Sequence, residues 1–586
     1  MNKGKYKNIL LIFPPIRNLS KAFLMPPLGI TYLAAVIKDK YKVHLLDAYV
    51  EGYRQRVPSG ECFIKIGLSY EEIDKRIREI SPDVVGITTL YSTQWPIVTE
   101  IMKRVKKIDP GIITVTGGTH PSFLARECMQ DKNLDFIIIG EGEYSFKGLL
   151  DALNANGDLS KIDGLAYRKN NQVYINPKQK YIEDLNELPL PARELLPLEK
   201  YFVLGGVNSA SIITSRGCIN HCIFCSSVNF WGRRLRPRSP DKVVAEIEYL
   251  NKKHGVNKIY FEDDHLLFDI NHAKEIFRGI IKKNLAISWI TPNGIFPRKL
   301  DDELIYLMEK SGCVSLTFAV ESGSERVRNN IIQKRINWQE AEESIKKVKK
   351  AGIATKAFFI IGFPGETKKD TLQTIKLATS NLFNVAEIFI ASPLPGTQLY
   401  QEMKNSGILT HNFSFTNTDY SMENTVFHNF KKGTLFLIVK ATVAYIAKKY
   451  RYQSKKNIVY QGYVNRLLKN GNFSLEGLIK AIKIERSKEM LNYILAIKYL
   501  RKELRLKLKD MILMWLDWLG EDVYLLCVST PKSKLFRGPL KKKIKGFIGY
   551  LCKGKNTNFN FYKTLVEKQL TSVLKKEVQN AEEAKI

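Results

Sequence analysis

Short apolar runs alternate with amphipathic helical patterns along two long stretches of the chain, and this alternation restricts the possible folds more than any other feature. In residues 1–155 we expect five strands, at 8–13, 43–46, 83–89, 112–116 and 135–139, with helical sequence between them. Such alternation is typical of a parallel, doubly wound (flavodoxin-like) α/β sheet. Because these sheets bind ligands beyond the carboxyl ends of their strands, we expect binding residues in the segments that follow the strands.

The second stretch, residues 209–400, repeats the strand–helix pattern six times. Its predicted strands are 211–215, 258–262, 287–291, 315–320, 356–361 and 387–391. Six such units indicate an open, partial (βα)6 TIM-like barrel, in which functional groups lie at the carboxyl ends of the strands. Five of the strands end in distinctive segments, at 217–225, 261–264, 320–324, 361–367 and 392–397.

Two further segments complete the predicted organisation. Residues 156–208 are expected to be a connector that contains a small hairpin around 169–171. Residues 401–586 are expected to form a basic, mostly helical C-terminal domain, because apolar residues recur there at three- and four-residue spacing. From residue 411 onward, about 34 Lys and Arg stand against about 14 Asp and Glu. An anionic membrane surface as partner and a substrate-capping domain with solvated charged faces both explain this composition.

Three of the eight cysteines, Cys218, Cys222 and Cys225, lie within eight residues after the first strand of the second stretch. Thiolates are the ligands that iron–sulfur clusters and zinc prefer. A 4Fe–4S cluster held by three thiolates keeps one iron open for a small molecule, which would make this loop a reactive site. The alternative is a zinc site with His221 or a distant residue as the fourth ligand.

The spacing Cys-x3-Cys-x2-Cys, with Phe224 before the last cysteine, resembles the cluster loop of radical S-adenosylmethionine (radical SAM) enzymes. The two α/β stretches together resemble the branch of that superfamily that carries an N-terminal cobalamin-binding domain. This branch includes class B methyltransferases and the anaerobic Mg-protoporphyrin monomethyl ester cyclase. The resemblance covers roughly residues 5–400. It implies three cofactors, namely a 4Fe–4S cluster, S-adenosylmethionine and cobalamin (vitamin B12).

The resemblance also implies which residues bind S-adenosylmethionine. The implied set is Phe224, Asp263, Asp264, Glu321, Ser324, Gly362 and Pro364. The two aspartates would receive the methionine ammonium, with helix N-capping as their alternative role. Glu321 and Ser324 would hydrogen-bond the ribose hydroxyls. Gly362 and Pro364 would admit the adenine against bare backbone, and Glu366 would orient that loop.

In the N-terminal stretch the resemblance lies mainly in segments 117–121 and 140–143. The implied cobalamin-binding residues are Pro15, Thr88, Thr89, Gly117, Gly118, His120, Gly140, Glu141 and Gly142. The glycines would let the backbone approach a large flat ring. Domains that ligate cobalt through a histidine carry Asp-x-His-x-x-Gly after the first strand, whereas residues 14–29 contain no histidine. The resemblance therefore implies a cobalamin without a protein histidine ligand, and a flavodoxin-like domain without cobalamin is the alternative.

The resemblance implies a radical reaction at an unactivated carbon. One electron from the cluster would cleave S-adenosylmethionine, and the resulting 5′-deoxyadenosyl radical would abstract a hydrogen atom from the substrate. We expect methyl transfer from cobalamin to that carbon, on a small-molecule or lipid substrate, with an external reductant of the ferredoxin or flavodoxin type. The alternative is an oxidative cyclisation or rearrangement without net methyl transfer. Beyond the cofactor ligands, no catalytic residue is assigned.

A formal net charge of +32 raises an RNA-modifying enzyme as a second alternative. Methylthiotransferases share the cysteine spacing but bind a second cluster through three further N-terminal cysteines, and only Cys62 and Cys128 lie upstream here. No RNA-binding module pattern is present either, so we expect no nucleic-acid partner. A non-catalytic electron carrier would not need an open iron or a barrel of ligand-binding loops.

The sequence contains no run of about 18 uncharged apolar residues, the length that predicts a membrane span. It also lacks a secretory signal pattern, and clustered cysteines then suit a reducing compartment. We therefore expect a cytoplasmic protein of an anaerobic or microaerobic cell, with peripheral contact of the basic C-terminal region at the inner face of the membrane.

Overall fold

Strands and helices alternate through most of the chain. The computed structural model describes residues 5–18, 24–59, 63–409 and 413–417. The strands there are β1 (Asn8–Phe13), β2 (Ile16–Asn18), β3 (Lys42–Asp47), β4 (Arg56–Ser59), β5 (Phe63–Ile66), β6 (Val84–Thr88), β7 (Ile113–Gly117), β8 (Phe136–Ile138), β9 (Leu165–Lys169), β10 (Gln172–Ile175), β11 (Ser209–Ile212), β12 (Ser215–Arg216), β13 (Arg236–Pro237), β14 (Lys258–Phe261), β15 (Ser288–Ile290), β16 (Cys313–Glu321), β17 (Ala354–Ile361) and β18 (Val385–Ile390).

The α-helices occupy the intervals between these strands. They are α1 (Leu28–Ile37), α2 (Ala48–Glu51), α3 (Tyr70–Ile80), α4 (Trp95–Ile108), α5 (Thr119–Phe123), α6 (Ala125–Cys128), α7 (Glu143–Ala155), α8 (Leu198–Gly205), α9 (Ser227–Trp231), α10 (Pro240–His254), α11 (Ile270–Lys282), α12 (Asp302–Lys310), α13 (Trp338–Lys350), α14 (Lys368–Ala378) and α15 (Gln398–Asn405). None of the helices in the described ranges is long and apolar enough to cross a membrane. The helical C-terminal domain predicted from the sequence lies, from residue 418 onward, outside the described residues.

The N-terminal stretch forms a seven-stranded sheet with the order β10-β9-β8-β7-β6-β1-β3. The five predicted strands, β1, β3, β6, β7 and β8, pair in parallel. Helices α1 and α7 bury their apolar residues in a cluster on one face, and α3 and α4 do so on the other face. A capping box of Ser69 and Glu72 starts α3 at Tyr70. The doubly wound sheet is therefore confirmed.

Two features of this sheet differ from the prediction. The hairpin β9–β10 pairs antiparallel with β8, so it extends the N-terminal sheet past the predicted boundary at residue 155. It covers an edge of β8 that would otherwise leave backbone groups unpaired. A separate antiparallel sheet, β2-β5-β4, was not predicted. Its strands have three or four residues, too few to show a recognisable alternation.

Residues 209–400 form a second sheet of six parallel strands in the order β11-β14-β15-β16-β17-β18. One face of this sheet packs on helices: the ring of Trp289 in β15 stacks on Phe277 of α11 at 4.9 Å and meets Phe261 of β14 at 5.4 Å. Because side chains alternate along a strand, the other face lines the barrel interior. The predicted partial (βα)6 barrel is confirmed.

The N-terminal sheet and the barrel contact each other at several places. Tyr201 of α8 donates a hydrogen bond to the buried Asp47 at the end of β3. A Cβ on Gly396, which follows β18, would lie 2.3 Å from the ring of Phe123 in α5. Tyr201 belongs to the helix that leads into the barrel, whereas the Gly396–Phe123 approach brings α5, which follows β7, next to a loop at the barrel mouth.

Candidate functional site

The three cysteines of the predicted cluster loop follow β12 and lie within electrostatic range of one another. Cys218 and Cys222 are partly buried, and Cys225 is exposed. Desolvation raises the pKa of Cys222 to about 11, and the neighbouring Cys218 thiol adds to this effect. Three thiols gathered in one loop are the soft donor set that an iron–sulfur cluster requires. Among the described residues, no group of three or more His, Cys, Asp or Glu is arranged around a single-ion site.

Contacts from three other strand ends fix the shape of the cysteine loop. The backbone N–H of Ile223 donates to the carbonyl of Ile332, beyond β16, at 3.2 Å. The N–H of Leu399, beyond β18, donates to the carbonyl of Ile223 at 2.9 Å. The ring of Phe224 packs 6.1 Å from that of Phe363, beyond β17. The loop therefore faces the segments in which S-adenosylmethionine ligands are predicted.

The aspartate pair after β14 consists of one anchored and one open carboxylate. Asp263 is 3% exposed and accepts hydrogen bonds of 2.7–3.1 Å from the N–H and hydroxyl groups of Thr214 and Ser215. It fixes the segment that leads to the cysteine loop, which corrects its predicted contact with the methionine ammonium. Asp264 lies three residues beyond the end of β14, is exposed, and is within electrostatic range of Cys218. Of the two, Asp264 is the candidate for the ammonium.

Glu321 forms a buried ion pair with Lys334, a residue that no sequence pattern singled out. The Nζ of Lys334 lies 2.7 Å from Oε1 of Glu321, and both side chains are 6% exposed. Glu321 stands at a register shift between β16 and β17 and has a φ of +65°. Gln333 and Arg335, which flank Lys334, have φ values of +65° and +45°. Such values are rare outside glycine and cost energy, so their grouping at one ion pair indicates a functional constraint.

The Lys334 ammonium also faces the cluster loop. Burial raises the pKa of Cys218 and Cys222, and Lys334 opposes this effect at both thiols. Lys334 is therefore a buried cation between a carboxylate and the sulfur ligands, where a bound carboxylate could pair with it. No local sequence signal distinguishes Lys334 from the many other lysines, because its position depends on the fold of the 333–335 turn.

Ser324 is turned away from the barrel mouth. Ser324 is 2% exposed. Its hydroxyl donates a hydrogen bond to Oδ1 of Asp370, in α14, at 2.6 Å. The preceding Gly323 packs so closely on α14 that a Cβ there would lie 2.2 Å from the carbonyl oxygen of Gln373. The predicted contact of Ser324 with the ribose is therefore corrected to a contact that holds α14.

The loop after β17 has the predicted architecture. Glu366 is 3% exposed and accepts hydrogen bonds from the N–H groups of Gly362 at 2.7 Å and Phe363 at 3.0 Å. Gly362 has a φ of +89°, and Pro364 is partly exposed. The prediction that Glu366 orients this loop is confirmed, while adenine binding by Gly362 and Pro364 stays a prediction.

The predicted cobalamin-binding residues do follow the carboxyl ends of β1, β6, β7 and β8, but several are internal. Pro15 is buried after β1. Thr88 ends β6, pairs with Gly117 of β7, and is partly exposed. Thr89 is fully buried, and its hydroxyl lies 3.0 Å from that of Thr116. Thr89 therefore holds two strands together, which corrects its assignment to a ligand contact.

Two glycines of this edge are required by the packing of the chain itself. Gly118 has a φ of +105°, and a Cβ there would lie 2.7 Å from the carbonyl oxygen of Thr89. Gly140 has a φ of +69°, and a Cβ there would lie 3.1 Å from the side chain of Lys178. Gly142 lies in the same turn and is partly buried. The need for glycine at 118 and 140 therefore arises before any ligand is considered.

The end of β6 carries the features of this edge that fit a large flat ligand. Leu90 and Tyr91 are 45% and 49% exposed, so the edge presents apolar surface. Nearby, Nδ1 of His120 lies 2.9 Å from the hydroxyl of Ser92, and its ring is 5.2 Å from that of Trp95. Burial lowers the pKa of His120 to about 4, so the imidazole is neutral. His120 is only 3% exposed, so its neutral imidazole lies beneath this surface, and a direct contact with cobalamin stays a prediction.

Glu141 points away from this platform toward the barrel. It is 2% exposed and lies 3.0 Å from Arg216 and 2.8 Å from Arg236. Both arginines belong to the β12–β13 pair that flanks the cysteine loop. The predicted contact of Glu141 with cobalamin is corrected, because its carboxylate is taken up by these two guanidinium groups.

A further carboxyl group lies at the end of β14, next to the N-terminal sheet. Glu262 directly follows β14 and is partly exposed. Burial raises its pKa to about 7, against hydrogen bonds from Ser211 and Asn293. Tyr91 of the N-terminal sheet is within electrostatic range of Glu262. Glu262 and Tyr91 therefore bring polar groups from both folds to the same region.

Comparison with known proteins gives this arrangement a family. The profile of the radical SAM superfamily matches residues 212–378, and that of the B12 binding domain matches residues 16–150. The chain is 34% identical over 421 residues to the cytidylyl-2-hydroxyethylphosphonate methyltransferase of Streptomyces wedmorensis, over 65% of this chain and 78% of that protein. It is 28% identical over 342 residues to the anaerobic magnesium-protoporphyrin IX monomethyl ester cyclase of Rubrivivax gelatinosus, over 57% and 61% of the two chains.

Among solved structures, the cobalamin-dependent S-adenosylmethionine radical enzyme OxsB, with aqua-cobalamin and S-adenosylmethionine bound, shares the fold. The TM-score is 0.65 at 16% identity, over 98% of this chain and 81% of that chain. The doubly wound sheet, the barrel and the cysteine loop define a B12-binding radical SAM enzyme. The chain belongs to the family of cobalamin-dependent radical SAM methyltransferases.

The cofactors follow from this family and fit the residues present. They are a 4Fe–4S cluster, S-adenosylmethionine and cobalamin. The three thiols match the cluster, and the exposed apolar end of β6 matches the cobalamin ring. The zinc site and the cobalamin-free domain that the sequence left open as alternatives are set aside by these matches.

Proposed function

We propose that this enzyme transfers a methyl group to an unactivated carbon of a small polar molecule. The observation that carries the proposal is the 34% identity to a methyltransferase over a region that spans both the B12 domain and the barrel. Similarity over both folds favours the same roles for the two domains, with cobalamin bound by the first and the cluster and S-adenosylmethionine bound by the barrel. The name of that relative specifies cytidylyl-2-hydroxyethylphosphonate, which makes small polar molecules the first class to test.

When bound, the cluster and S-adenosylmethionine supply a carbon-centred radical, and cobalamin supplies the methyl group. The residues of the chain bind and orient these groups. Cys218, Cys222 and Cys225 hold the cluster. Asp264 and Lys334 offer opposite charges beside it, which suits the ammonium and the carboxylate of the methionine part of S-adenosylmethionine. The ion pair with Glu321 keeps the Lys334 ammonium in place.

The substrate is proposed to enter the barrel interior between Glu262 and Tyr91. A carboxyl group with a pKa of about 7 and a phenol can accept or donate hydrogen bonds to a hydroxyl-bearing substrate. A small polar molecule therefore suits this region better than an extended apolar one. The lipid substrate and the membrane contact expected from the basic C-terminal region rest on residues outside the described ones.

The experiment is an anaerobic assay of the full chain, reconstituted with iron, sulfide and hydroxocobalamin. S-adenosylmethionine with a deuterated methyl group is supplied with a flavodoxin-type or chemical reductant and a panel of hydroxyalkyl phosphonates and nucleotide-linked hydroxyalkyl compounds. We expect 5′-deoxyadenosine, S-adenosylhomocysteine and a product that carries the deuterated methyl group. A product formed with 5′-deoxyadenosine but without the label would refute methyl transfer and favour cyclisation or rearrangement.

The cysteines provide the control for this assay. Replacing Cys218, Cys222 and Cys225 with alanine should abolish cluster absorbance and 5′-deoxyadenosine formation together. Cys313→Ala, at a buried cysteine in β16, should leave both intact. Cleavage of S-adenosylmethionine by the triple variant would contradict the assignment of the cluster loop.

A further inference from the structure

A buried ion network joins the N-terminal sheet to the cysteine loop. Arg216 lies two residues before Cys218, and its NH1 and NH2 atoms lie 3.0 Å from Glu141 and 2.5 Å from Glu143. Glu141 also lies 2.8 Å from Arg236. The four charged side chains are between 1% and 7% exposed. Charges this deeply buried are costly unless they are paired, so the pairing must be retained in the folded protein.

The network solves a local problem of the β12–β13 pair. Arg216 and Arg236 face each other across these two antiparallel strands. Like charges in opposing positions are destabilising. Glu141 lies against both guanidinium groups, and Glu143 supplies a second carboxylate to Arg216. The entrance to the cysteine loop is therefore assembled correctly only when the turn after β8 is docked against it.

All the acceptor positions of Glu141 are occupied within the protein. Its Oε1 accepts from Arg216 and Arg236, and its Oε2 accepts from Arg236 and from the N–H of Ile182 at 2.9 Å. Burial would raise the pKa of Glu143, but Arg216 outweighs it and the pKa is lowered. Both carboxylates are directed toward Arg216, and Glu141 has no free acceptor position for cobalamin.

The cysteine loop begins in a rigid position next to the network. Gly217, between Arg216 and Cys218, has a φ of +94°, and a Cβ there would lie 2.3 Å from the carbonyl oxygen of Arg234. The guanidinium of Arg216 is enclosed by the rings of Tyr32 and Trp231, each at 5.2 Å. A shift of Arg216 would therefore be passed directly to the first cysteine ligand.

We propose that Glu141 and Glu143 are positioning residues for the cluster loop, so that the B12 domain supplies part of the S-adenosylmethionine site. This inference rests on the cluster assignment in the proposed function. Ligand-supporting residues of this kind typically change metal-site affinity or activity by roughly 10- to 100-fold when replaced. Residues 140–143 then have two roles. The glycines shape the edge of the N-terminal sheet, and the two carboxylates position the arginines beside the cysteine loop.

The test uses the full chain with Glu141→Gln and Glu143→Gln, singly and together. Each protein is reconstituted with the cluster but without cobalamin. It is then titrated with S-adenosylmethionine, and binding is followed by the change in the electron paramagnetic resonance signal of the reduced cluster. We expect roughly 10- to 100-fold weaker S-adenosylmethionine binding in the variants. Hydroxocobalamin affinity, titrated separately by absorbance, should be unchanged.

Glu246→Gln is the matched control. Glu246 is 1% exposed and lies 2.7 Å from both Arg193 and Arg238, so it is also a buried carboxylate between two arginines. It pairs with neither arginine of the β12–β13 strand pair. Its replacement should lower stability in a similar way and leave the titration with S-adenosylmethionine unchanged.

The outcomes are separable. Weaker hydroxocobalamin binding with an unchanged cluster titration would show that the glutamates are cobalamin ligands and would overturn the proposal. Equal effects of Glu141→Gln and Glu246→Gln would reduce the network to a general stabilising role and also overturn it. Failure of the wild-type chain to take up a cluster would instead refute the proposed function. If the double variant does not fold, Glu143→Gln alone decides the question, because Glu141 still neutralises Arg236.

Discussion

Nζ of Lys334 lies 2.7 Å from Oε1 of Glu321, and 6% of each side chain is exposed. Removing one partner of a buried ion pair leaves an uncompensated charge and costs roughly 3–5 kcal/mol. We therefore expect Lys334→Met to lower the free energy of unfolding by about 3 kcal/mol or more, as measured by urea titration. It should also weaken S-adenosylmethionine binding to the cluster-loaded protein, because the cation beside the thiolates is lost.

Lys356→Met is the control for that variant. The Lys356–Glu387 pair is 2.8 Å long, but its side chains are 23% and 41% exposed. Partly exposed pairs contribute about 1 kcal/mol or less. Equal losses of stability in the two variants would contradict the assignment of a buried, constrained pair to Lys334 and Glu321.

Asp263 and Asp264 should respond differently to the same substitution. Asp263→Asn weakens the hydrogen bonds that four donor groups make to this carboxylate. We therefore expect a loss of roughly 2–3 kcal/mol in stability and poor cluster loading. Asp264→Asn should leave stability near that of the wild type and weaken S-adenosylmethionine binding. Urea titration and cluster-signal titration measure the two effects. A stable Asp263→Asn protein with weak S-adenosylmethionine binding would restore the sequence-based assignment of Asp263.

Ser324→Ala tests the corrected role of that serine. Its hydroxyl donates to Asp370, which also lies close to Arg326. We expect a stability loss of about 1–2 kcal/mol from the missing hydrogen bond to a charged group. The affinity for S-adenosylmethionine should not change. A marked rise in its dissociation constant, with stability unaffected, would show that Ser324 contacts the cofactor.

Asp47 should make the folded protein less stable as pH rises, which is the reverse of the usual effect of a carboxylate. Burial raises its pKa to about 7, although hydrogen bonds from Tyr201 and the α2 backbone act against this. The folded chain thus keeps a proton that the unfolded chain releases near pH 4, about the ordinary value for aspartate. The free energy of unfolding should therefore fall as pH rises from about 4 to about 7. Asp47→Asn removes this contribution, so the variant should gain stability relative to the wild type across that window.

Asp151, in the same domain, should give stability the opposite dependence on pH. Lys147, Lys40 and Tyr41 outweigh the effect of burial and lower its pKa to about 2. The stability it provides is present above about pH 4 and is lost as pH falls toward about 2. Urea midpoints of Asp151→Asn and Asp47→Asn between acidic and neutral pH should diverge. Parallel curves would contradict the burial-driven shift at Asp47.

Most of the fold could be predicted from the sequence. The five parallel strands of the first sheet and the six of the barrel are confirmed, because long alternating patterns carry the signal of strands and helices locally. The sheet β2-β5-β4 could not be predicted, since its strands are too short. The hairpin β9–β10 was recognised as a hairpin, but only the three-dimensional pairing with β8 shows which sheet it belongs to.

The site could be predicted less completely. Spacing and order along the chain were enough to predict the cysteine loop, its place at the end of a barrel strand, and the segments that surround it. The folded chain was needed to show that Asp263 is hydrogen-bonded within the protein while Asp264 is exposed. It was also needed to show that Ser324 faces α14, that Lys334 pairs with Glu321, and that Glu141 pairs with arginines beside the cysteine loop. The physical reason is that a side chain's role depends on which partners satisfy its charge and hydrogen bonds. Those partners come from distant parts of the chain, as when Glu141 pairs with Arg216 and Arg236.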